Sequence, residues 1–196
     1  MLKKIINICF FVFLFFCVDV NSDIVNADIA FVGDSITTGS YPAVASDVIS
    51  SFCCGGFDCL RTKVFAKRGA STRKVYSFFK SAVSERFKTV VVYAGINDCI
   101  NVDRSLVSIK YLNKMALFSK NKINLVFVKI HIKNKCSAKI NKWIDGNAAV
   151  LGYKVVDTSF VFGSQKGLLA GDKIHLSRRG NLVLGNLVAD VVIKCL

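Results

Sequence analysis

The sequence has little that would divide it into several domains or leave it unfolded. It contains one proline in 196 residues, and it has no Pro/Gly-rich linker, no low-complexity segment and no internal repeat. Charged residues make up only 20% of the chain and hydrophobic residues 53%, a composition that argues against intrinsic disorder. A chain of this length can bury a full hydrophobic core in one domain. We therefore expect a single folded domain over residues 23–196.

Acidic residues are scarce. The chain has 13 Asp and Glu against 27 Lys and Arg, so its formal net charge is +14. A basic protein attracts polyanions such as nucleic acid, anionic lipid headgroups or acidic envelope polymers. The basic residues are scattered, however, and no block of five or six like charges occurs. This distribution favours a solvated basic surface, and we predict no specific nucleic-acid partner and a monomeric protein.

The spacing that a zinc site needs is also lacking. Cys53, Cys54 and Cys59 form no paired CxxC motif and have no histidine close by in sequence. No other pattern in the chain implies a metal ion or an organic cofactor. We therefore expect neither.

The N-terminus carries an uncharged apolar run over residues 5–18, which two lysines precede and small or polar residues follow. This order is typical of a secretory signal peptide. We predict a signal peptide over residues 1–22 and a secreted or periplasmic protein; cleavage after Ala27 is the alternative. An uncleaved membrane anchor is disfavoured because a spanning helix needs about 20 apolar residues.

Beyond this segment, apolar runs alternate with segments of helical period. Strands are predicted over residues 29–32, 63–66, 89–93, 123–130 and 153–156. Amphipathic helices are predicted between them, and Ser177 is predicted to cap the last helix. Continuous apolar strands are typical of a parallel sheet that is covered on both faces. The pattern predicts a three-layer α/β/α sandwich with about five parallel strands.

Four short segments lie at the ends of predicted strands or just before the last helix. They are Gly33-Asp34-Ser35, Arg68-Gly69-Ala70-Ser71, Gly95-Ile96-Asn97-Asp98 and Asp172-Lys173-Ile174-His175. Sheets of this kind bind ligands at the carboxyl ends of their strands. Each segment alone is common, but the four together, in this order, indicate a site for chemistry.

With these segments, nearly the whole chain after the N-terminal run resembles the SGNH, or GDSL-type, hydrolase family. The resemblance implies a flavodoxin-like fold and a reaction at ester bonds. It implies Ser35 as nucleophile, His175 as base and Asp172 as the acid that orients the base. It also implies an oxyanion hole formed by the N–H groups of Ser35 and Gly69 and the side-chain amide of Asn97.

These residue types suit acyl transfer. A serine hydroxyl needs a base to take its proton, and a carboxylate can orient that base and stabilise its cation. Asp34 is expected to brace the turn rather than to react. Of the two histidines, His131 has no acid nearby in sequence and is expected to be structural or to line a pocket wall. Arg68 and Lys173 depart from the family pattern, which leaves the substrate open.

We predict a secreted serine esterase for short acyl esters, whose substrate is a small ester or an acylated glycan. The chain is short, which leaves little room for a lid or an acyl tunnel. Activity like that of a lipase or lysophospholipase, or of an acyltransferase with the same triad, is the nearest alternative. A catalytically inactive basic module that binds a polyanion is the alternative from another class.

The six cysteines beyond the predicted signal peptide indicate disulfides, as expected of an exported chain. Cys99 and Cys136 follow the third and fourth strands, so they are predicted to pair at the edge of the sheet that carries the site. The other four are expected at the opposite edge: Cys53, Cys54, Cys59 and Cys195. Cys195 is predicted to bond to Cys53 or Cys54, and Cys59 to the other.

Overall fold

The computed structural model describes residues 27–53, 60–100, 102–120 and 122–196. Within these residues the chain forms five strands and seven helices, with at least one helix after each strand. The strands are β1 (Ala27–Gly33), β2 (Leu60–Ala66), β3 (Thr89–Tyr93), β4 (Asn124–Val128) and β5 (Lys154–Val156). The helices are α1 (Tyr41–Cys53), α2 (Thr72–Ser84), α3 (Ile96–Cys99), α4 (Ser105–Ser119), α5 (Lys135–Leu151), α6 (Ser159–Ser164) and α7 (Arg178–Ile193).

The strands form one parallel sheet in the order β2-β1-β3-β4-β5. Phe31 at the middle of β1 pairs with Val64 of β2 and Val91 of β3. Helices α1 and α7 pack against each other, and α4 packs between α2 and α5. Strands β1, β3 and β4 are almost wholly buried. The predicted α/β/α sandwich with parallel strands is confirmed.

Two short helices, α3 and α6, were not expected. The segment around Asn97, for which no helix was predicted, forms the four-residue helix α3. Helices of four to six residues are too short to show a hydrophobic period. The predicted cap is confirmed, because Ser177 Oγ accepts a hydrogen bond from the Gly180 N–H at 3.0 Å.

The predicted signal peptide lies outside the described residues and stays a prediction. Among the residues that the structure describes, no helix combines the length and the apolar character needed to cross a membrane.

The predicted Cys99–Cys136 disulfide is present, with a Cα–Cα distance of 5.4 Å. It joins the end of α3 to the first turn of α5, at the edge where the chemistry was predicted.

The predicted bond of Cys195 to Cys53 or Cys54 is wrong. Cys195 has a free thiol, whose Sγ donates to the Val191 carbonyl at 3.2 Å. The C-terminal ends of α1 and α7 do lie together. Beyond α7, however, the chain turns towards β4, where the Cys195 carbonyl accepts a hydrogen bond from Asn124 Nδ2 at 3.2 Å. Cys54, Cys59 and the side chain of Cys53 lie outside the described residues, so the predicted bond of Cys59 stays a prediction.

Candidate active site

The candidate nucleophile lies in a tight turn directly after β1. A Cβ at Gly33 would lie 2.0 Å from Thr37 Oγ1 and 2.6 Å from the Tyr93 carbonyl oxygen, so only glycine fits where this turn leaves the sheet. Asp34 Oδ1 accepts the Ile36 N–H at 3.0 Å, a contact that supports the predicted bracing role of Asp34. Ser35 is half-buried at the crest of the turn.

The structure brings the three predicted triad residues together. His175 Nε2 lies 3.0 Å from Ser35 Oγ, and His175 Nδ1 lies 2.5 Å from Asp172 Oδ2. Because a carboxylate only accepts, Nδ1 carries the proton and the neutral ring leaves Nε2 free to accept from the serine. This is the arrangement that proton transfer from a serine requires.

A compact turn holds Asp172 in place. Its Oδ1 accepts the N–H groups of both Ile174 and His175 at 2.9 Å. The hydrogen bond to the His175 ring, followed by these backbone hydrogen bonds, holds the pKa of Asp172 well below its usual value. Lys173, which departs from the family pattern, occupies the left-handed region with φ 57°, so the backbone turns sharply between acid and base.

The three predicted oxyanion donors, Ser35, Gly69 and Asn97, line one cleft together with His175. In the described part of the chain, the backbone N–H groups of Ser35 and Gly69 donate to no other group, so both are available to an oxygen anion. Gly69 has φ 71°, and a Cβ built there would project into open space. Glycine thus relieves backbone strain and keeps the cleft clear.

The Asn97 amide is positioned by two acceptors. Its Nδ2 donates to the Ala70 carbonyl at 3.0 Å and to Asp34 Oδ2 at 3.3 Å. Both partners are acceptors, which fixes the orientation of the amide. Asn97 lines the cleft, but an oxyanion would have to replace one of these two partners to receive its hydrogen bond.

Asp98 joins the second and third segments of the site, a role that the sequence analysis missed. Its buried Oδ2 accepts from the Thr72 N–H and hydroxyl at 2.8 and 2.6 Å, and from Ser108 Oγ at 2.9 Å. The first turn of α2 is thereby fixed to α3, which keeps Gly69 near Asn97. An aspartate directly after the predicted donor was the available signal, but its partners are distant in sequence.

Asp34 is buried beside the triad. Burial raises its pKa from 3.8 to about 7, although the Ile36 N–H and the nearby His175 act in the opposite direction. A carboxyl group that gains a proton near neutral pH thus lies against the Asn97 amide.

The other histidine, His131, is buried behind the triad and is only 5% exposed. Its Nδ1 lies 2.5 Å from the Tyr93 hydroxyl and its Nε2 lies 2.8 Å from the Ile174 carbonyl oxygen. Burial lowers the pKa of His131 from 6.5 to about 4. It is therefore neutral at physiological pH.

Two cavities adjoin the catalytic turn. The cleft over Ser35 has a volume of about 470 Å³. Among the described residues that line it, Arg68 is the one permanently charged side chain and none is a carboxylate. A groove of about 500 Å³ lies on the other side of the turn, where Ile132, Phe162 and Leu169 contribute apolar walls and Lys133 and Lys173 contribute charge.

No protein-family model and no curated protein matches the sequence. Solved structures do match. A lipase/acylhydrolase from Enterococcus faecalis superposes with a TM-score of 0.74 at 18% identity, over 86% of this chain and 96% of that chain. A member of the lipolytic protein G-D-S-L family from Veillonella parvula has a TM-score of 0.66 at 18% identity, over 83% and 96%. The esterase EstA from Pseudoalteromonas has a TM-score of 0.71 at 11% identity, over 87% and 98%.

The chain has the fold of the GDSL-type hydrolases. The resemblance seen in the sequence is thereby confirmed at the level of the fold, over most of this chain and nearly the full length of the three structures. In the GDSL-type fold of this chain, β1 and β3 lie side by side at the point where the strand order reverses. Ser35 and Asn97 follow these two strands, so the candidate site lies where such sheets bind ligands.

Proposed function

We propose that the chain is a serine ester hydrolase of the GDSL type. The observation that carries this proposal is the contact of His175 Nε2 with Ser35 Oγ at 3.0 Å, with Asp172 on the other ring nitrogen. His175 takes the serine proton as Ser35 attacks the ester carbonyl, and returns it to the leaving alcohol. Water then attacks the acyl-enzyme: His175 takes a proton from the water and returns it to Ser35 Oγ as the carboxylic acid is released.

The tetrahedral intermediate carries a negative oxygen that needs donors already in place. The unpaired N–H groups of Ser35 and Gly69 supply two of them within the described residues. Asn97 supplies the third when the oxyanion displaces Asp34, the more distant of its two acceptors. Arg68 leaves the cleft positively charged, which favours esters that carry a polar or anionic group over purely apolar ones.

The preferred acyl groups in this proposal are short. Among the described residues that line the 470 Å³ cleft, only Ile36 and Leu176 are aliphatic side chains, so the apolar surface there suits a short acyl group better than a long alkyl chain. The groove beyond the catalytic turn, where Ile132, Phe162 and Leu169 form part of the wall, favours the second candidate, a lipase-like enzyme. The dependence of kcat/KM on acyl length, from p-nitrophenyl acetate to the laurate, separates the two.

The test of the nucleophile is Ser35→Ala. We expect loss of p-nitrophenyl acetate hydrolysis and of labelling by a fluorophosphonate, with the circular dichroism spectrum and Tm unchanged. Ser40→Ala is the matched control, because Ser40 is an exposed serine of the same loop and its hydroxyl makes no hydrogen bond within the described residues. Hydrolysis retained by Ser35→Ala would refute the triad.

We also propose that the protein is exported. The basic, apolar and polar order of residues 1–22 supports this location. Expression of the full chain followed by mass spectrometry of the protein outside the cytoplasm tests it, with a mature N-terminus at Asp23 as the expected result. A protein that stays in the cytoplasm with its N-terminus intact would contradict the proposal.

A further inference from the structure

The turn that carries Asp172 and His175 has few attachments to the rest of the fold. Both side chains are about half exposed, so burial does little to fix them. The turn is closed on itself by the Ala170 N–H, which donates to the His175 carbonyl at 2.8 Å, and by the hydrogen bonds to Asp172. Its position relative to Ser35 therefore needs another constraint.

His131 provides that constraint. Its Nε2 donates to the carbonyl of Ile174, the residue directly before the catalytic base, at 2.8 Å. In the described part of the chain, this is the one hydrogen bond that joins residues 172–175 to the sheet side of the molecule, apart from the His175–Ser35 contact itself. His131 lies just past β4 and is buried, so it is a fixed point.

Tyr93 at the end of β3 supports the second ring nitrogen of His131. A carbonyl oxygen only accepts, so Nε2 must carry the proton, and Nδ1 of the neutral ring is then an acceptor. The Tyr93 hydroxyl, 2.5 Å away, donates to it. Burial raises the pKa of Tyr93 well above its usual value, which keeps the phenol protonated. The low pKa of His131 fits the same arrangement.

We propose that His131 is a positioning residue, which holds the Asp172–His175 turn at its distance from Ser35 through the Ile174 carbonyl and whose other ring nitrogen is held by the Tyr93 hydroxyl. This inference rests on the proposed esterase function. His131 is not among the residues that line the cleft over Ser35, so it acts on the reaction through His175. Its loss should lower kcat and leave KM unchanged, because the cleft residues that bind the ester remain in place.

The first test compares His131→Phe with His131→Gln, using p-nitrophenyl acetate. Phenylalanine keeps the ring packing against Tyr93 and Phe162 but cannot donate to Ile174. We expect kcat to fall by roughly tenfold to a hundredfold, since a displacement of about 1 Å at a catalytic group can cost about a hundredfold. Glutamine places an N–H donor near the position of Nε2, and should restore most of kcat.

The second test needs no change at His131 and so holds even if those variants fold poorly. Tyr93→Phe removes the hydroxyl that donates to His131 Nδ1, so the ring loses one of its two hydrogen bonds, and it should lower kcat without changing KM. Tyr153→Phe is the matched control, because it also removes a buried tyrosine hydrogen bond, the one to the Ile144 carbonyl at 2.6 Å, but far from the triad. It should lower Tm about as much and leave kcat unchanged.

A folded His131→Phe with wild-type kcat would overturn the inference, as would a kcat that glutamine does not restore or equal losses in the two tyrosine variants. Labelling of wild-type Ser35 by a fluorophosphonate separates these failures from failure of the proposed function. If the wild-type chain labels at Ser35 and hydrolyses esters, any of the three results counts against His131 alone. If it does neither, the proposed function fails and this inference falls with it.

Discussion

Two buried groups close to the candidate active site should have opposite effects on the pH dependence of stability. Burial raises the pKa of Asp34 from 3.8 to about 7, and it lowers the pKa of His131 from 6.5 to about 4. Between about pH 4 and pH 6.5 the folded chain holds a proton on Asp34 that the unfolded chain has released. In the same range the unfolded chain holds a proton on His131 that the folded chain lacks.

The sign of each contribution follows from this difference in bound protons. Asp34 makes stability decrease as the pH rises from about 4 to about 7, because its ionisation is disfavoured in the folded state. His131 makes stability decrease as the pH falls from about 6.5 to about 4, because its protonation is disfavoured there. One pKa unit corresponds to about 1.4 kcal/mol, so Asp34 contributes about 4 kcal/mol and His131 about 3 kcal/mol. In the wild type they largely cancel, which leaves a change of about 1 kcal/mol.

Asp34→Asn exposes the contribution of His131. Asparagine can still accept the Ile36 N–H, but it does not titrate. The free energy of unfolding of this variant should fall by about 3 kcal/mol relative to wild type as the pH is lowered from about 6.5 to about 4. His131→Gln should show the opposite slope, with stability lost as the pH rises through the same range. The double variant should again be nearly flat.

Urea denaturation followed by circular dichroism across this pH range measures the effect. The slopes of the free energy of unfolding against pH are compared, and not its absolute values, because either substitution can change stability at every pH. His175 and Asp98, which influence the pKa of Asp34, are present in every variant. Ser35→Ala, which keeps both buried groups, should follow the wild-type profile. Parallel profiles for wild type and Asp34→Asn would show that Asp34 does not titrate in this range.

Three further predictions concern the site and its supports. Asp172→Asn should lower kcat about 10⁴-fold at neutral pH with little change in Tm, because an amide N–H facing His175 Nδ1 forces the other tautomer of the ring. Steady-state kinetics with p-nitrophenyl acetate measure this, and an unchanged kcat would refute it. Gly69→Ala should cost about 1 kcal/mol of stability, measured by urea denaturation, because its φ is positive, and it should also raise KM because the added methyl enters the cleft. Replacing both Cys99 and Cys136 by serine should lower the free energy of unfolding by about 4 kcal/mol, since the bond closes a loop with a sequence separation of 37; an unchanged Tm would contradict it.

Much of the fold follows from the sequence because the central strands are buried on both faces. Thr89–Tyr93 has the bounds predicted for it, since every one of its residues is buried and the apolar run ends where the strand ends. Strand β2 begins three residues before the predicted 63–66, because Leu60–Thr62 lie at the edge of the sheet and are partly exposed. An edge strand is less buried than a central one, so fewer of its residues need to be apolar and the hydrophobic pattern does not define its ends.

The polar contacts of the site were less accessible from the sequence. The resemblance to a family supplied the residues of the candidate triad, Ser35, Asp172 and His175. It did not supply Asp98 or His131, whose partners lie on other elements and leave no spacing in the sequence. His131 was expected to be structural or to line a pocket, which describes its burial but not its hydrogen bond to the catalytic turn. Every residue has a backbone carbonyl, so a hydrogen bond to a carbonyl cannot be predicted from the identity of the partner residue.

The distance between Ser35 and His175 depends on helix packing more than on the sheet. Ser35 lies in the loop before α1 and His175 lies just before α7, and the two are 140 residues apart. Their loops meet because α1 and α7 pack closely: a Cβ at Gly185 would lie 2.6 Å from the Val44 side chain, so only glycine permits this approach. At the N-terminal ends, Asn181 Oδ1 accepts the Tyr41 N–H at 3.1 Å.

This contact has a consequence for how the site is assembled. Asn181 also donates to the Ser177 carbonyl at 2.9 Å, and so connects the first turn of α7 to the first residue of α1. His175 therefore reaches Ser35 through two independent supports, the α1–α7 contact on one face of the sheet and His131 behind the 172–175 turn. The α1–α7 contact sets where the turn lies relative to α1, and His131 sets where Ile174 lies. Together they fix an exposed pair of side chains that burial alone could not hold.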